Sequence, residues 1–273
     1  HLARPVLTPP PDLARKRYLP DPRDPTRCSP GAPAGSPGPR LAKVITSELL
    51  PASDLVIDLH TGAVNRPNLP QIRVTARNRG AMGHAKAFGA PVIMVSPLRE
   101  GSFRSACHQA NLPVILFESG EAARLDASAI RFGLRGIMAV MRSLEMLPAG
   151  KTKERPKPPP VVCRKSSWER APAFGLFTPL VPLGRAVAPG DLLGFVADPL
   201  GTDEWQVEAS LEGVVIGRTN DGLVDEGNAL FHIAVPSAEI DVEEHIAESG
   251  DALPSLDPAD DDHPVPHDPY SDL

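Results

Sequence analysis

Two short apolar runs end in side chains that could perform acid–base or metal chemistry. The first, DLVIDLH, carries Asp58 and His60 at its end, and the second, PVILFE, ends in Glu118. A neutral imidazole can bind zinc, and a nearby carboxylate can orient the ring through a hydrogen bond. A partly desolvated carboxylate at the end of an apolar strand has a raised pKa, which suits a general base. His60 is therefore a candidate metal ligand oriented by Asp58, and Glu118 a candidate general base.

Each candidate also has a simpler interpretation. His60 could be a hydrogen-bonded histidine beside a turn, and Glu118 could cap the following loop or pair with an arginine. Glu121, three residues further on, competes for the same catalytic role. Arg27 could clamp a substrate carboxylate through two parallel hydrogen bonds, or it could be a solvated residue of an arginine-rich segment. Three histidines without a ligand partner at useful spacing are interpreted as structural: His84, His108 and His232.

Strands and helices alternate through the part of the chain that carries these residues. Apolar runs predict strands at 54–60, 71–76, 91–97 and 113–120. Helical spacing predicts helices at 41–50, 84–90, 102–112 and 126–147, with Asp126 or Ser128 as the cap of the last. Alternation of this kind predicts an α/β layer structure with a largely parallel sheet. Ligands of such sheets bind at the carboxyl ends of the strands, where the candidate residues stand.

Composition divides the chain into five segments. Residues 1–40 are rich in Pro and Arg, which predicts an irregular segment. Residues 41–150 form the predicted α/β domain, and the charged, Pro-rich stretch 151–160 is a predicted linker. Residues 161–237 alternate short apolar runs with Gly and Pro, which predicts a β-rich domain. Residues 238–273 form an acidic tail that is predicted to be disordered.

The β-rich segment contains two stretches that resemble each other. Residues 171–197 and 209–234 each have a glycine, an apolar run, a V-x-x-G pattern and a closing apolar run. This pseudo-symmetry resembles the barrel-sandwich domains that carry lipoyl or biotinyl groups. The hairpin between the two stretches reads DPLGTDEWQ and lacks the carrier lysine, which argues against a carrier function.

Bulk composition narrows the functional class. The net charge of −6 and the lack of a clustered basic face argue against nucleic-acid binding. No apolar run approaches the roughly 20 residues of a membrane span, and the N-terminus lacks a signal-peptide core. The three cysteines are scattered and odd in number, which indicates reduced thiols. We therefore expect a soluble, cytoplasmic protein of undetermined oligomeric state.

Several segments, in this order, resemble the succinylglutamate desuccinylase/aspartoacylase family, which is related to the zinc carboxypeptidases. The segments are YLPDPRDPTRCSPG, DLVIDLHTG followed by NLPQIR, PVIMVSPLREGSFR, FESGEA before a long helix, and GVVIGRTNDGLVDEGNALFHIA. The resemblance covers residues 17–236. It implies a carboxypeptidase-like α/β catalytic domain followed by a β domain. It also implies zinc-dependent hydrolysis of N-acyl amide bonds in small acylated amino acids.

The resemblance assigns a role to each candidate residue. His60 matches the third zinc ligand of the family, and Glu118 matches the glutamate that serves as general base and acid. Arg27 matches the arginine of an Asp-Leu-Asn-Arg motif that grips the substrate. Zinc lowers the pKa of bound water to about 7 and polarises the carbonyl group. Glu118 would then take the proton of that water and pass it to the leaving amine.

The chain departs from the family pattern near its N-terminus. The first two zinc ligands of the family come from a His-x-x-Glu motif upstream of the substrate arginine, and the 26 residues before Arg27 contain none. The substrate motif reads DPTR instead of Asp-Leu-Asn-Arg. A core strand is also expected to be missing, which would expose an apolar sheet edge. We therefore expect an N-terminally incomplete member of the family with impaired zinc binding and activity.

Two alternatives to an active hydrolase remain open. The chain could be a non-catalytic relative that binds small molecules or proteins after losing its metal. It could also be an interaction protein in which the β-rich segment binds a partner and the α/β segment is only a scaffold. Measured hydrolysis, or binding of a partner by residues 161–237, would distinguish these functions.

Overall fold

The computed structural model describes residues 27–76, 78, 80–148 and 158–238. Much of the predicted irregular segment at 1–40 lies outside the described residues. So do most of the predicted linker at 151–160 and nearly all of the predicted tail at 238–273. Within the described ranges, none of the helices combines the length and the apolar character that crossing a bilayer requires.

The described residues form four α-helices and twelve strands. The helices are α1 (Pro37–Val44), α2 (Ala81–Phe88), α3 (Phe103–Gln109) and α4 (Ala127–Ser143). The first strands are β1 (Val56–His60), β2 (Asn68–Val74), β3 (Val92–Val95), β4 (Val114–Gly120), β5 (Val161–Arg170) and β6 (Gly175–Pro179). The later strands are β7 (Ala186–Val187), β8 (Leu192–Ala197), β9 (Glu204–Glu208), β10 (Gly213–Arg218), β11 (Leu223–Val224) and β12 (Ala229–Pro236).

The element boundaries differ from the sequence predictions at a few points. Helix α1 begins at Pro37, inside the segment predicted to be irregular, because proline is tolerated in the first turn of a helix. Helix α4 begins after Asp126, whose carboxylate accepts a hydrogen bond from the Ala129 amide at 2.9 Å. Strand β2 starts at Asn68, three residues before the predicted start.

The larger sheet has eight strands in the order β1-β4-β2-β3-β5-β12-β10-β7. Three of the four pairings among β1 to β5 are parallel, and β2 runs antiparallel to β4. Strand β2 follows β1 after a short connection and therefore runs back in the opposite direction, because a parallel return needs a crossover of about a dozen residues or more. Since β4 is parallel to β1, β2 is antiparallel to β4. The strands added beyond β5 pair antiparallel. The predicted mixed α/β fold is therefore confirmed.

The large sheet continues across the predicted boundary between the α/β and β-rich segments. Strand β5 follows the predicted linker and pairs with β3, and β12 then pairs with β5. A second, four-stranded sheet has the order β11-β6-β8-β9. One buried cluster joins Leu69 and Met94 of the α/β segment to Phe177, Val196 and Phe231 of the β-rich segment. The two segments thus share one sheet and one apolar core.

Helices α2 and α4 cover one face of the sheet. Phe88 of α2 and Phe132 of α4 both pack against Phe117 of β4, with ring centroids 4.9 and 6.0 Å away. Helix α3 and the four-stranded sheet lie on the other face, where Cys107 packs with Val114.

The contact between α2 and α4 depends on Gly136, because a side chain there would overlap the ring of the buried Phe88. We expect Gly136→Ala to lower the free energy of unfolding by about 1–3 kcal/mol, since overpacking outweighs a helix-propensity gain of about 1 kcal/mol. Gly83→Ala in α2 is the matched control, because a Cβ at Gly83 meets nothing within 4 Å. Gly83→Ala should stabilise by about 0.5–1 kcal/mol. Urea denaturation that shows equal effects for the two variants would contradict this packing.

Candidate active site

The candidate metal ligand and the candidate base lie side by side on adjacent strands. Strands β1 and β4 are parallel, and their register places His60 directly opposite Glu118. Residues paired in this way project to the same face of a sheet. The side chains of His60 and Glu118 are 30% and 17% exposed, so solvent reaches both. The prediction that they share one edge of the sheet is confirmed.

Asp58 orients His60 from two positions earlier on the same strand. The Asp58 Oδ1 atom lies 3.1 Å from His60 Nε2, which leaves Nδ1 of the ring available. Burial lowers the pKa of His60, but the Asp58 hydrogen bond and the charges of Asp58 and Glu118 outweigh burial and the opposing charge of Arg27. The pKa of His60 is consequently raised above 6.5. Protonated His60 therefore stabilises the fold below about pH 6.5, and this contribution is lost as the pH rises through the higher folded pKa.

Replacing Asp58 with Asn removes the carboxylate that raises the pKa of His60 and leaves burial to lower it. We expect the pKa of His60 to fall below its wild-type value, as an NMR titration of the ring would measure. Asp54→Asn, at an exposed carboxylate just before β1, is the matched control. If the pKa of His60 is the same in Asp58→Asn and in the wild-type chain, the contact with Asp58 does not hold in solution.

Two side chains of β2 hold one oxygen of Glu118. Arg73 Nε donates to Glu118 Oε2 at 3.0 Å, and Asn68 Nδ2 donates to the same oxygen at 3.2 Å. The structure thus shows Glu118 paired with an arginine, which was the simpler of its two interpretations. This ion pair is compatible with a role of Glu118 as a base, because Glu118 Oε1 makes no hydrogen bond with any described residue. The carboxylate is oriented through one oxygen and free at the other.

A second arginine faces this cluster from α3. Arg104 is buried, and its Nη1 atom donates to Ser96 Oγ at 3.0 Å. Burial lowers the pKa of Arg104, and the charge of Arg73 adds to the effect, while Glu118 and Asp58 oppose it. Arg104 therefore adds positive charge to the surroundings of Glu118, Asp58 and Arg73.

The remaining candidates occupy the border of the cluster. Arg27 is exposed, and its backbone oxygen packs against Gly101, 2.7 Å from where a Cβ would stand. Its charge is close enough to His60 to oppose protonation of that ring. Glu121 forms an ion pair with Arg124. The structure therefore brings Asp58, His60 and Glu118 together, with Arg27 nearby, and pairs Glu121 with an arginine of its own.

The β-rich segment also reaches the cluster, through His232. Its Nε2 atom lies 2.9 Å from Ser166 Oγ, and its ring stacks on Trp168 at 4.5 Å. Burial lowers the pKa of His232 to about 3, and the charge of Arg73 contributes. The ring of His232 is thus neutral at physiological pH. Gly217 permits the neighbouring contact with Asn68, because a Cβ there would lie 2.9 Å from Asn68 Oδ1.

The sequence interpretation missed the partners of Glu118. Asn68 and Arg73 lie in NLPQIRV, and Arg104 lies in GSFR, segments that carried the resemblance without a role for these residues. The sequence contained one indication of the position of Arg104. It lies three residues before Cys107 on a predicted helix, and this spacing places both residues on one face of that helix. No local signal connected Arg73 to Glu118, because the contact depends on how β2 pairs with β4.

The zinc implied by the resemblance can be compared with the side chains present. Catalytic zinc takes about three protein ligands. His60 fits one position, since Asp58 engages Nε2 and leaves Nδ1 free to bind a metal. Among the described residues, no three His, Cys, Asp or Glu side chains form a group that could hold a metal ion. The described part of the chain therefore supplies one ligand and does not form a zinc site by itself.

The fold and the cluster define a mixed α/β protein in which His60 and Glu118 lie side by side at the carboxyl ends of two paired strands. The sequence profile of the succinylglutamate desuccinylase/aspartoacylase catalytic domain matches residues 5–144. This match spans more than half of the chain. The chain therefore belongs to the succinylglutamate desuccinylase/aspartoacylase family.

Individual relatives agree with this assignment. The chain is 26% identical over 243 residues to N-alpha-acetyl-L-2,4-diaminobutyric acid deacetylase of Halomonas elongata, which covers 84% of this chain and 70% of the relative. A crystal structure of a succinylglutamate desuccinylase/aspartoacylase from Rhodobacter sphaeroides superposes with a TM-score of 0.72 at 25% identity, over 82% of this chain and 71% of that chain. The product-bound ectoine utilization protein EutE (DoeB) of Ruegeria pomeroyi shares the fold, with a TM-score of 0.69 at 23% identity over 79% and 69% of the two chains.

Proposed function

We propose that this chain hydrolyses the N-acyl amide bond of small acylated amino acids. The observation that carries the proposal is the pairing of His60 with Glu118 on adjacent strands, with Glu118 Oε1 making no hydrogen bond to the described part of the chain. Family membership and the deacetylase from Halomonas elongata support the same reaction class. Hydrolysis of an amide needs a base for the attacking water and an acid for the leaving amine, and one carboxylate can serve as both in turn.

The proposed chemistry centres on Glu118. Its Oε1 atom takes a proton from water and returns it to the leaving amine nitrogen. Arg73 and Asn68 hold Oε2, so the free oxygen keeps a fixed direction through both proton transfers. Arg104 places positive charge beside the cluster, and we propose that it attracts an anionic group of the substrate. Arg27 is proposed to bind the substrate at the border of the site.

We propose zinc as the cofactor, with His60 as one ligand through Nδ1 and Asp58 orienting the ring. Zinc supplies a polarised carbonyl group and an acidic bound water when it is held by a complete ligand set. The described residues supply one ligand, and the sequence before Arg27 lacks a His-x-x-Glu motif. We therefore propose that this chain binds zinc weakly and that its activity is impaired.

The test joins equilibrium zinc titration to an assay of amine release from a panel of N-acetyl and N-succinyl amino acids. We expect weak zinc binding, which His60→Gln weakens further and the control His84→Gln on α2 does not change. We also expect slow hydrolysis that depends on Glu118. Tight, stoichiometric zinc binding would contradict the proposed impairment. The absence of hydrolysis at any zinc concentration would contradict the proposed function.

The ligand count favours one alternative, a non-catalytic relative that binds small molecules. That alternative predicts saturable binding of N-acyl amino acids without release of amine, so the same panel separates the two functions. We retain four further predictions as proposals: a barrel-sandwich arrangement for residues 161–237, a cytoplasmic location, and the lack of nucleic-acid and membrane partners.

A further inference from the structure

A cationic pocket of about 460 Å³ lies where the α/β and β-rich segments meet, and we name it the seam pocket. Arg73 lines it and also donates to Glu118, so the pocket borders the candidate site. Arg164, Lys165 and Ser166 of β5 line it from the β-rich segment, and all three are exposed. Its other lining residues are Met94, Val95, Ser96, Pro97 and Leu211. The lining thus has three cations and no acidic side chain.

Two cations of the seam pocket have no anionic partner among the described residues. Arg73 is paired with Glu118, whereas the side chains of Arg164 and Lys165 form neither an ion pair nor a hydrogen bond within the described ranges. Because neighbouring like charges repel each other, carboxylates placed between them are stabilised. The pocket therefore complements a segment that presents several carboxylates together.

The acidic tail, residues 238–273, carries the complementary charge. It holds 12 of the 34 Asp and Glu residues of the chain and none of the Lys and Arg residues. The formal charge of the tail is therefore −12, and that of residues 1–237 is +6. The densest group of carboxylates in the tail is the run Asp260, Asp261 and Asp262. Opposite charges of this size on one chain attract each other, most strongly at low ionic strength.

The acidic tail starts close to the two unpaired cations. At the end of β12, the Ser237 amide donates to the Val162 carbonyl oxygen of β5 at 2.8 Å. Val162 precedes Arg164 and Lys165 by two and three residues, which is about 7–10 Å along a strand. Strand β12 runs antiparallel to β5, so the chain at Ser237 is directed away from the pocket. Carboxylates further along the tail are therefore better placed to return to it than the first ones.

The tail is long enough for this return. Asp261 follows Ala238 by 23 residues. A random coil of that length spans about 25 Å on average, which exceeds the distance from the start of the tail to Lys165. A tether of this kind gives the carboxylates an effective concentration in the millimolar range. Ion pairs that are weak one by one are thereby favoured as a group.

We propose that the seam pocket is the docking surface for the acidic tail of the same chain, with the run Asp260–Asp262 paired with Arg164 and Lys165. Because Arg73 links the pocket to Glu118, a docked tail lies beside the candidate site. Its carboxylates repel anionic substrates there and restrict their access. The restriction of access rests on the proposed function, whereas the docking does not.

Docking is tested with a carbodiimide, which joins a lysine amine directly to a carboxylate in ion-pair contact. The full chain is treated at low ionic strength, and mass spectrometry of its peptides identifies the linked residues. Lys165 should be linked to the run Asp260–Asp262, and high salt should lower the yield several-fold. Lys86, which is exposed on α2, is the control lysine and should form few links to the tail. The absence of a link between Lys165 and the tail would overturn the proposal.

Two variants with the same change of charge separate a specific contact from general attraction. The Asn variant, Asp260→Asn/Asp261→Asn/Asp262→Asn, should lower the total yield of links between Lys165 and the tail about fivefold or more. The Gln control, Glu243→Gln/Glu244→Gln/Glu248→Gln, also removes three charges and should leave that yield unchanged. Equal yields in the two variants would show that no particular part of the tail is docked, which contradicts the proposal.

A mixture of chains labelled with light and with heavy nitrogen identifies the source of the docked tail. Links within one chain join peptides of the same label, whereas links between chains also give mixed pairs. Only pairs of the same label should form at Lys165. Mixed pairs would assign the pocket to the tail of a second copy and would overturn the proposal.

The restriction of access is tested by steady-state kinetics on N-acyl amino acids. The Asn variant should raise kcat/KM about two- to fivefold, because anionic substrates then reach the site more easily, and the Gln control should leave it unchanged. In a chain that hydrolyses these substrates, an unchanged kcat/KM of the Asn variant would overturn the restriction. A chain that forms the expected link at Lys165 but hydrolyses nothing would refute only the proposed function.

Discussion

Glu118→Gln should lower kcat for N-acyl amide hydrolysis by about 10²- to 10⁴-fold, the range typical for loss of a general base. Glutamine keeps the size of the side chain and one oxygen, but its amide cannot take a proton from water. The loss should fall on kcat more than on KM, because the proton transfers occur after the substrate has bound. Initial rates of amine release, measured at matched zinc concentration, give both constants.

The matched control for this variant is Glu121→Gln. Glu121 follows Glu118 by three residues, and its carboxylate pairs with Arg124. Glu121→Gln should therefore keep most of the wild-type kcat, because it leaves Glu118 and the hydrogen bonds of Glu118 unchanged. A large loss of kcat in Glu121→Gln together with a small one in Glu118→Gln would reverse the assignment of the base. Far-ultraviolet circular dichroism of both variants separates lost chemistry from lost folding.

Phe231→Ala should lower the free energy of unfolding by about 3–5 kcal/mol, as expected for a large side chain removed from a core. Phe231 is fully buried in β12 and packs edge-to-face on Phe177 of β6 with ring centroids 5.7 Å apart. Its removal leaves a cavity between the two sheets. Urea unfolding followed by circular dichroism measures the change, and the slope of the transition shows whether it stays cooperative.

The control for the loss of an aromatic ring is Phe174→Ala. Phe174 is 50% exposed in the turn before β6, so its truncation should change stability by no more than about 0.5 kcal/mol. Hydrogen exchange adds a test of the shared core. Phe231→Ala should lower the protection of β3 and β4 amides as well as that of the β-rich segment. If β3 and β4 keep wild-type protection while the β-rich segment opens, the two segments fold as independent domains.

Local sequence pattern was enough to predict several parts of this protein. Apolar runs located β1 and β4, and the polar residues at their ends marked Asp58, His60 and Glu118 as the candidate site. The shared edge of His60 and Glu118 followed because parallel strands bring their carboxyl ends together. The start of α4 at Asp126 followed from helix capping, which involves residues three apart.

The pairing and register of the strands depend on contacts that local sequence pattern does not reveal. The hydrogen bonds from Arg73 and Asn68 to Glu118 exist because β2 turns back antiparallel beside β4. The continuation of the sheet through β5, and the register shift between β5 and β12 near Lys165, follow from pairings with β3 and β12. The physical reason is that strand pairing is stabilised by contacts between residues distant in the chain, so register depends on the packing of the whole sheet.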